Sequence, residues 1–238
     1  MRDSKPDYGL DGNPKALILT LGFIAVVDVC LFSFLSMPFK IAAYFLLICG
    51  ILLIAAYIWW MFYVRVGKFR HRDALLSMVD WKGNETVLDV GTGRGLLMIG
   101  AAKKLVDGKC VGIDIWRQQD MMNNSREKTL HNAELEGVLD RIEIRSEDVR
   151  NTTFAADSFD VVLSNLCLHN IPSREGRDNA CKEIARVLKP KGTAIISDGF
   201  RTKEYRDVFE KEGMSVRIVK ARIPIGLVWL HTVVAVKK

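Results

Sequence analysis

Residues 85–95 read Glu85-Thr86-Val87-Leu88-Asp89-Val90-Gly91-Thr92-Gly93-Arg94-Gly95. The apolar run at 86–90 predicts a short buried strand, and the segment 95–106 predicts the helix that follows it. Three alternating glycines join the two, removing side chains where the backbone must turn and a ligand must lie against it. Their spacing is G-x-G-x-G, whereas the nicotinamide fingerprint is G-x-G-x-x-G. A helix N-terminus suits a diphosphate, but the carboxylate of Asp89 beside it would repel one. A cofactor with an amino-acid end fits such a loop better.

Working outward, short apolar runs alternate with amphipathic segments from residue 71 onward, the pattern of an open α/β sheet. A lead-in helix is expected at 71–80, and helices at 118–136, 174–188 and 202–212. Further strands are expected at 109–114, 141–146, 159–164 and 192–198. Two last runs, 215–221 and 227–236, lack room for a crossover helix and should pair antiparallel. Asp114 ends the second strand, where a carboxylate can accept from both hydroxyls of a ribose. Asp148 follows the third, where an acid can accept from an adenine amino group. The plain structural alternative for any one of these acids is a cap or a solvated strand end.

The region from about 71 to 236 resembles a class I S-adenosylmethionine-dependent methyltransferase, the seven-stranded Rossmann-like family. Val87–Gly95 matches its first motif, Asp114 its ribose-binding acid and Asp148 its adenine-contacting acid. Asp160-Val161-Val162-Leu163-Ser164-Asn165 matches its fourth strand, and Arg186-Val187-Leu188-Lys189-Pro190-Lys191-Gly192 the turn before its fifth. The family usually carries Pro-Gly-Gly there, so Lys191 is a departure. The resemblance implies a mostly parallel seven-stranded sheet with a terminal antiparallel strand, and S-adenosylmethionine as cofactor. The expected cofactor contacts are Asp89, Gly91, Thr92, Gly93, Gly95, Asp114, Ile115, Asp148, Val149 and Asn165.

A sulfonium methyl is already a strong electrophile, so the protein mainly has to align a nucleophile behind it, an effect that can supply roughly 7–11 kcal/mol. No metal is needed, and no ligand set for one is expected. Ser164-Asn165-Leu166-Cys167-Leu168-His169-Asn170 lies where the acceptor should sit. It lacks the Asn/Asp-Pro-Pro-aromatic motif of the family's base N-methylating enzymes, and nucleic acid is not an expected partner. His169 is the candidate base for a hydroxyl acceptor; its alternative role is to pack on the cofactor or fix the loop. Trp116 is a candidate cover for the adenosine, with a core or surface position as its alternative.

The rest of the chain is unlike this. The 238 residues average a mean hydropathy of +0.11 and a net charge of +6, yet residues 1–66 contain only 5 Lys/Arg and 4 Asp/Glu. Residues 16–36 and 41–64 are apolar runs long enough to cross a bilayer, for which about 20 residues suffice. Met37-Pro38-Phe39-Lys40 is read as a short connector broken at Pro38. The division expected is a tail over 1–15, a two-helix transmembrane hairpin over 16–66 and the catalytic domain over 67–238. Arg65, Lys68, Arg70 and Arg72 follow an aromatic cluster at 57–63, whereas the connector holds only Lys40. The positive-inside rule then puts both termini and the domain in the cytoplasm. Asp28, mid-span, is expected to bond a neighbouring helix or a second protomer, with headgroup or substrate contact as the alternative. Five cysteines without C-x-x-C spacing are expected to stay reduced.

Together these features imply a membrane-anchored methyltransferase acting on a lipophilic or membrane-associated small molecule, with self-association through the hairpin as a possible partner interaction. The alternatives are a soluble small-molecule acceptor, the hairpin serving only for location, and a non-catalytic cofactor-binding membrane scaffold.

Overall fold

A computed structural model describes residues 5–9, 37–121, 123–220 and 230–238, with side chains from 44 onward in the first helix. The expected first span, 16–36, and Asp28 within it lie outside the described residues. Helix α1 covers Met37–Phe62, 26 residues without a charge after Lys40, a length of about 39 Å. Tyr44, Phe45, Ile51, Leu52 and Ile58, from successive turns, are each more than half exposed. A helix apolar on every side has no aqueous face. The stretch Tyr44–Leu76 contains a window apolar enough to cross a membrane, none of it buried within the protein.

This helix begins four residues before the expected 41. Met37–Lys40 is its first turn rather than a connector, and Pro38 is tolerated there because the first N–H groups of a helix have no internal acceptor. Nor does the chain break after it. A π-helical turn, Tyr63–Gly67, leads directly into α2, Lys68–Leu76. Any side chain on Gly67 would meet the Tyr63 ring at 2.8 Å, so the wide turn closes only over a glycine.

The domain alternates as expected: β1 Thr86–Val90, α3 Leu96–Ala102, β2 Lys109–Ile113, α4 Arg126–Leu135 and β3 Ile142–Arg145. There follow β4 Phe159–Asn165, α5 Arg174–Val187, β5 Leu188–Asp198, α6 Thr202–Lys211, β6 Ser215–Lys220 and β7 His231–Val236. The seven strands form one sheet in the order β3-β2-β1-β4-β5-β7-β6. β7 runs antiparallel to both its neighbours and the remaining pairs are parallel. Side chains alternate across it. Leu88, Val162 and Ile196 join the core under α5 and α6, while Val87, Leu163 and Ile195 join the core under α2 and α3. Burial on both faces explains why the strands read as continuous apolar runs.

Several expected boundaries move: the lead-in helix expected at 71–80 runs over 68–76, the helix expected at 95–106 ends at 102, and two larger shifts have a visible cause. The helix expected from 118 starts only at 126, because Ser125 caps it by accepting from the Lys128 N–H at 3.4 Å, and 118–121 and 123–125 belong to the site. β5 starts at Leu188, four residues early, because Leu188 already pairs with Phe159. Lys191 within it sits at φ +66°, where the resembled family carries glycine. A side chain in the left-handed region costs about 1–2 kcal/mol. Lys191 is exposed, so Lys191→Gly is expected to stabilise the protein by about 1 kcal/mol. Thermal unfolding in detergent should show a midpoint raised by roughly 2–4 °C.

Candidate active site

The strand order reverses between β1 and β4, and α/β sheets bind ligands at such a point, beyond the carboxyl ends of the strands. A cavity of about 600 Å³ lies there. The loop after β1 forms its floor. Gly91, Gly93 and Gly95 all have positive φ, at +71°, +52° and +85°. At Gly91 the requirement is absolute: a Cβ would stand 2.3 Å from the Sγ of Cys167 on the facing loop.

The loop's donors are turned into the protein. The N–H groups of Gly91 and Thr92 both reach the carbonyl of Ile113, at 2.9 and 3.0 Å. That of Gly93 donates to Oδ2 of Asp114 at 2.8 Å. Gly95, which has no capping side chain, begins α3. Its helix is capped from the strand instead, where Oδ2 of Asp89 accepts from the Met98 N–H at 3.0 Å. Burial pushes the Asp89 carboxyl up to about 7. With the three loop N–H groups engaged, little is left to hold a diphosphate.

Acceptors face the cavity in their place. Across the sheet, from β3 to β5, they are Asp148, Asp114, Asp89, Asn165 and Asp198. Asp114 also accepts from the Trp116 N–H at 2.6 Å and from Nδ2 of Asn124 at 3.3 Å, tying the loop after β2 to the loop after β1. Arg150 grips Asp148 through Nε at 3.0 Å and Nη2 at 2.6 Å, and holds its carboxyl below the usual range. The Oδ1 of Asn165 is buried without a hydrogen-bond partner.

His169 lines the cavity from the turn after β4. Its Nδ1 is 2.6 Å from Oδ1 of the fully buried Asp198. Asp198 also accepts from the N–H groups of His169 and Gly199, at 3.1 and 3.0 Å, and from the Tyr205 hydroxyl at 3.2 Å. The carboxylate raises the His169 pKa above the ordinary 6.5, against the opposing pull of burial.

Of the residues expected at the cofactor, Asp89, Gly91, Thr92, Gly93, Asp114, Ile115, Asp148, Val149 and Asn165 line this cavity, as does His169. Gly95 does not; a Cβ there would meet Ile99 and Thr129. Trp116 does not line it either, because its Nε1 donates to Ser146 at 2.8 Å and its ring packs on the core.

Asp198 was not among the expected residues, although an acid at the carboxyl end of a strand is the signal that marked Asp114 and Asp148. A second group had no local signal. Residues 5–9 lie across the mouth of the glycine loop. The Asp7 backbone exchanges hydrogen bonds with the Asn132 side chain, both at 2.9 Å, and its carboxylate pairs with Arg94. Tyr8 donates to Glu136 at 2.8 Å, and Lys68 on α2 donates to the Gly9 carbonyl at 2.8 Å. Tyr8, Lys68 and Tyr63, the last two from the helical path that continues α1, line the same cavity. His71, also on α2, meets the Ser197 hydroxyl at 2.9 Å beneath it.

Such a wall suits a ligand that is cationic and rich in donors. S-adenosylmethionine is one, with an ammonium, a sulfonium, a ribose diol and an adenine amino group. The glycine floor and the unpartnered Asn165 acceptor fit it.

Comparison with known proteins agrees. Residues 88–196 match the family described as Methyltransferase domain. This part of the chain is an S-adenosylmethionine-dependent, Rossmann-like methyltransferase domain, and S-adenosylmethionine is its cofactor. A demethylmenaquinone methyltransferase of Lactiplantibacillus plantarum is 30% identical over 129 residues, 53% of this chain and 51% of that protein. A ribosomal protein L11 methyltransferase of Actinobacillus succinogenes is 32% identical over 145 residues, 58% of this chain and 44% of that protein. The chain thus spans about half or less of the curated relatives it matches. The crystal structure of the YcgJ protein of Bacillus subtilis shares the fold, with a TM-score of 0.59 at 14% identity over 71% of this chain and 98% of that one.

A hydrogen bond to a charged group contributes roughly 1.5–3 kcal/mol. Asp114→Asn is therefore expected to weaken S-adenosylmethionine binding at least about tenfold. Titration calorimetry on the full chain in detergent checks this.

Proposed function

We propose that this protein is a membrane-anchored methyltransferase that transfers the methyl group of S-adenosylmethionine to a hydroxyl of a lipophilic, membrane-associated small molecule. One observation carries the reading. Tyr63 and Lys68, where the apolar helix enters the domain, line the same cavity as Gly91, Asp114 and His169. An acceptor held in the bilayer would meet the site without crossing water, and confinement raises its effective concentration. The demethylmenaquinone methyltransferase relative is in keeping with this, though the ribosomal protein L11 methyltransferase carries the same fold toward an unlike acceptor.

The tail supports a two-pass anchor with both ends on the domain side. Lys68 holds Gly9 at the domain end of the helix, whereas Met37 begins that helix roughly 46 Å away at 1.5 Å per residue. The chain between Gly9 and Met37 has to cover that distance. On the positive-inside rule the domain side is cytoplasmic.

Bound S-adenosylmethionine supplies an electrophilic methyl group, and the chain's own residues do the rest. Asp114 and Asp148 orient the nucleoside and Asn165 accepts from the amino-acid end. Asp198 takes the Nδ1 side of His169, which leaves Nε2 as the nitrogen that accepts the acceptor's hydroxyl proton. With its proton passed to Nε2, the acceptor oxygen would be the nucleophile toward the methyl group that bound S-adenosylmethionine would supply.

A protonated imidazole cannot act as a base, so a raised pKa shifts the onset of activity upward. The rate should rise with pH along a limb whose apparent pKa lies above 6.5. Asp198→Asn should move that limb to lower pH, and His169→Gln should cut turnover by about 10²–10⁴-fold with cofactor affinity retained. Stopped-time assays across pH check both.

The acceptor class is tested with the full chain in vesicles of native lipid extract and a methyl-labelled donor. Label should appear in the organic phase of the quenched reaction. Label confined to the aqueous phase would favour a soluble acceptor, and label in neither a non-catalytic role.

A further inference from the structure

We propose that the mouth of the cavity is a membrane-docking surface, and that Phe200 and Ile115 are the side chains that enter the bilayer interface. The proposal rests on α1 being a membrane span. The direction of α2 is the first reason. Its last residue, Leu76, leads to Thr86, at the edge of the sheet where the parallel strands begin. Its first residue, Lys68, therefore lies at the opposite edge, and is found there in the cavity wall beside the strand ends. The apolar helix arrives at that edge through Tyr63–Gly67 without a break. A bilayer crossed by α1 must then lie over the carboxyl ends of the strands, above the cavity.

The second reason is what this edge presents. Among the described large apolar residues outside α1, Phe200 is 61% and Ile115 is 51% exposed, and both line the cavity. Each stands on a stiff support. Ile115 follows Asp114, whose carboxylate is held by three donors. Phe200 is two residues from the fully buried Asp198, to which the intervening Gly199 N–H is bonded. An exposed apolar side chain favours an apolar phase over water, and here a phenylalanine follows the strand end whose Asp198 orients His169.

Most of the cations at the cavity mouth are paired, with Arg65 of the Tyr63–Gly67 turn exposed beside it. Arg117 is paired with Asp120, Arg150 with Asp148 and Arg201 with Glu204. The partner is therefore a lipid surface met by apolar contact, and docking should not require anionic lipid.

The test uses the full chain in neutral phosphatidylcholine vesicles, with the photoreactive residue p-benzoylphenylalanine in place of Phe200 or Ile115. The same residue replaces Ile51, mid-α1, as one control. It replaces Val106, 77% exposed beside the edge where the strands begin, as the other. Irradiation followed by mass spectrometry reads covalent phospholipid adducts. Adducts at 51, 115 and 200 but not at 106 are expected. Adducts at 51 without any at 115 or 200 would overturn the docking surface and leave the span intact. No adducts at 51, 115 or 200 would overturn both, and adducts at 106 equal to those at 200 would show that the domain does not lie on the membrane by this edge.

Discussion

A continuous helical path from Met37 to Leu76 governs how the two halves of this molecule relate. Its first part is apolar on every side and its last part packs on α3 and covers one face of the sheet core. Because the π turn at Tyr63–Gly67 joins them without a loop, the direction of the first part is coupled to the direction of the sheet. A flexible linker would leave the domain free to face any way. A helical join instead sets the carboxyl edge of the strands, where all the chemistry lies, toward the end from which the apolar helix arrives. Pi turns are rare and recur at functional sites; this one puts Tyr63 in the cavity wall.

Within the domain a row of acceptors does the organising. The glycine loop is held by Asp89 from one side and Asp114 from the other, so its own N–H groups are directed inward. What the strand ends present to the ligand is therefore a row of carboxylates and one amide, acceptors for a donor-rich ligand, with Lys68, Arg94, Arg117 and Arg150 elsewhere in the cavity wall. The same principle repeats at β5, where Asp198 gathers two backbone N–H groups, a tyrosine hydroxyl and an imidazole. Burial of Asp198 is tolerated because its donors replace the water it loses.

Much of this was legible in the chain itself. The alternation of short apolar runs and amphipathic segments gives all seven strands, five of them to within a residue or so at each end and β5 and β7 to within four, because a strand buried on both faces leaves few polar positions to blur its ends. β1 is found at 86–90 as expected, and the antiparallel end pair follows from the short connection alone. The residues that line the cavity were legible because most of them sit at a strand end beside a turn, a local pattern. Gly95 was misplaced since a glycine that starts a helix and a glycine that faces a ligand look alike in sequence. The loop after β2 was read as helix because its hydrogen bonds run to Asp114 and Asn124, partners that no local periodicity reveals.

By itself, then, the sequence determined the order of the elements, the membrane-length apolar run and the class of ligand, all of which depend on residues near one another in the chain. Only the tertiary structure decided that Asp7 meets Arg94 across 87 positions and Lys68 reaches the Gly9 carbonyl, that Asp198 stands behind His169, and that the apolar helix ends at the cavity. The reason is physical. Periodicity and turn chemistry are local, whereas a buried charge must find its counter-charge or donors wherever the folded chain brings them, and that distance in space leaves no trace in spacing along the chain.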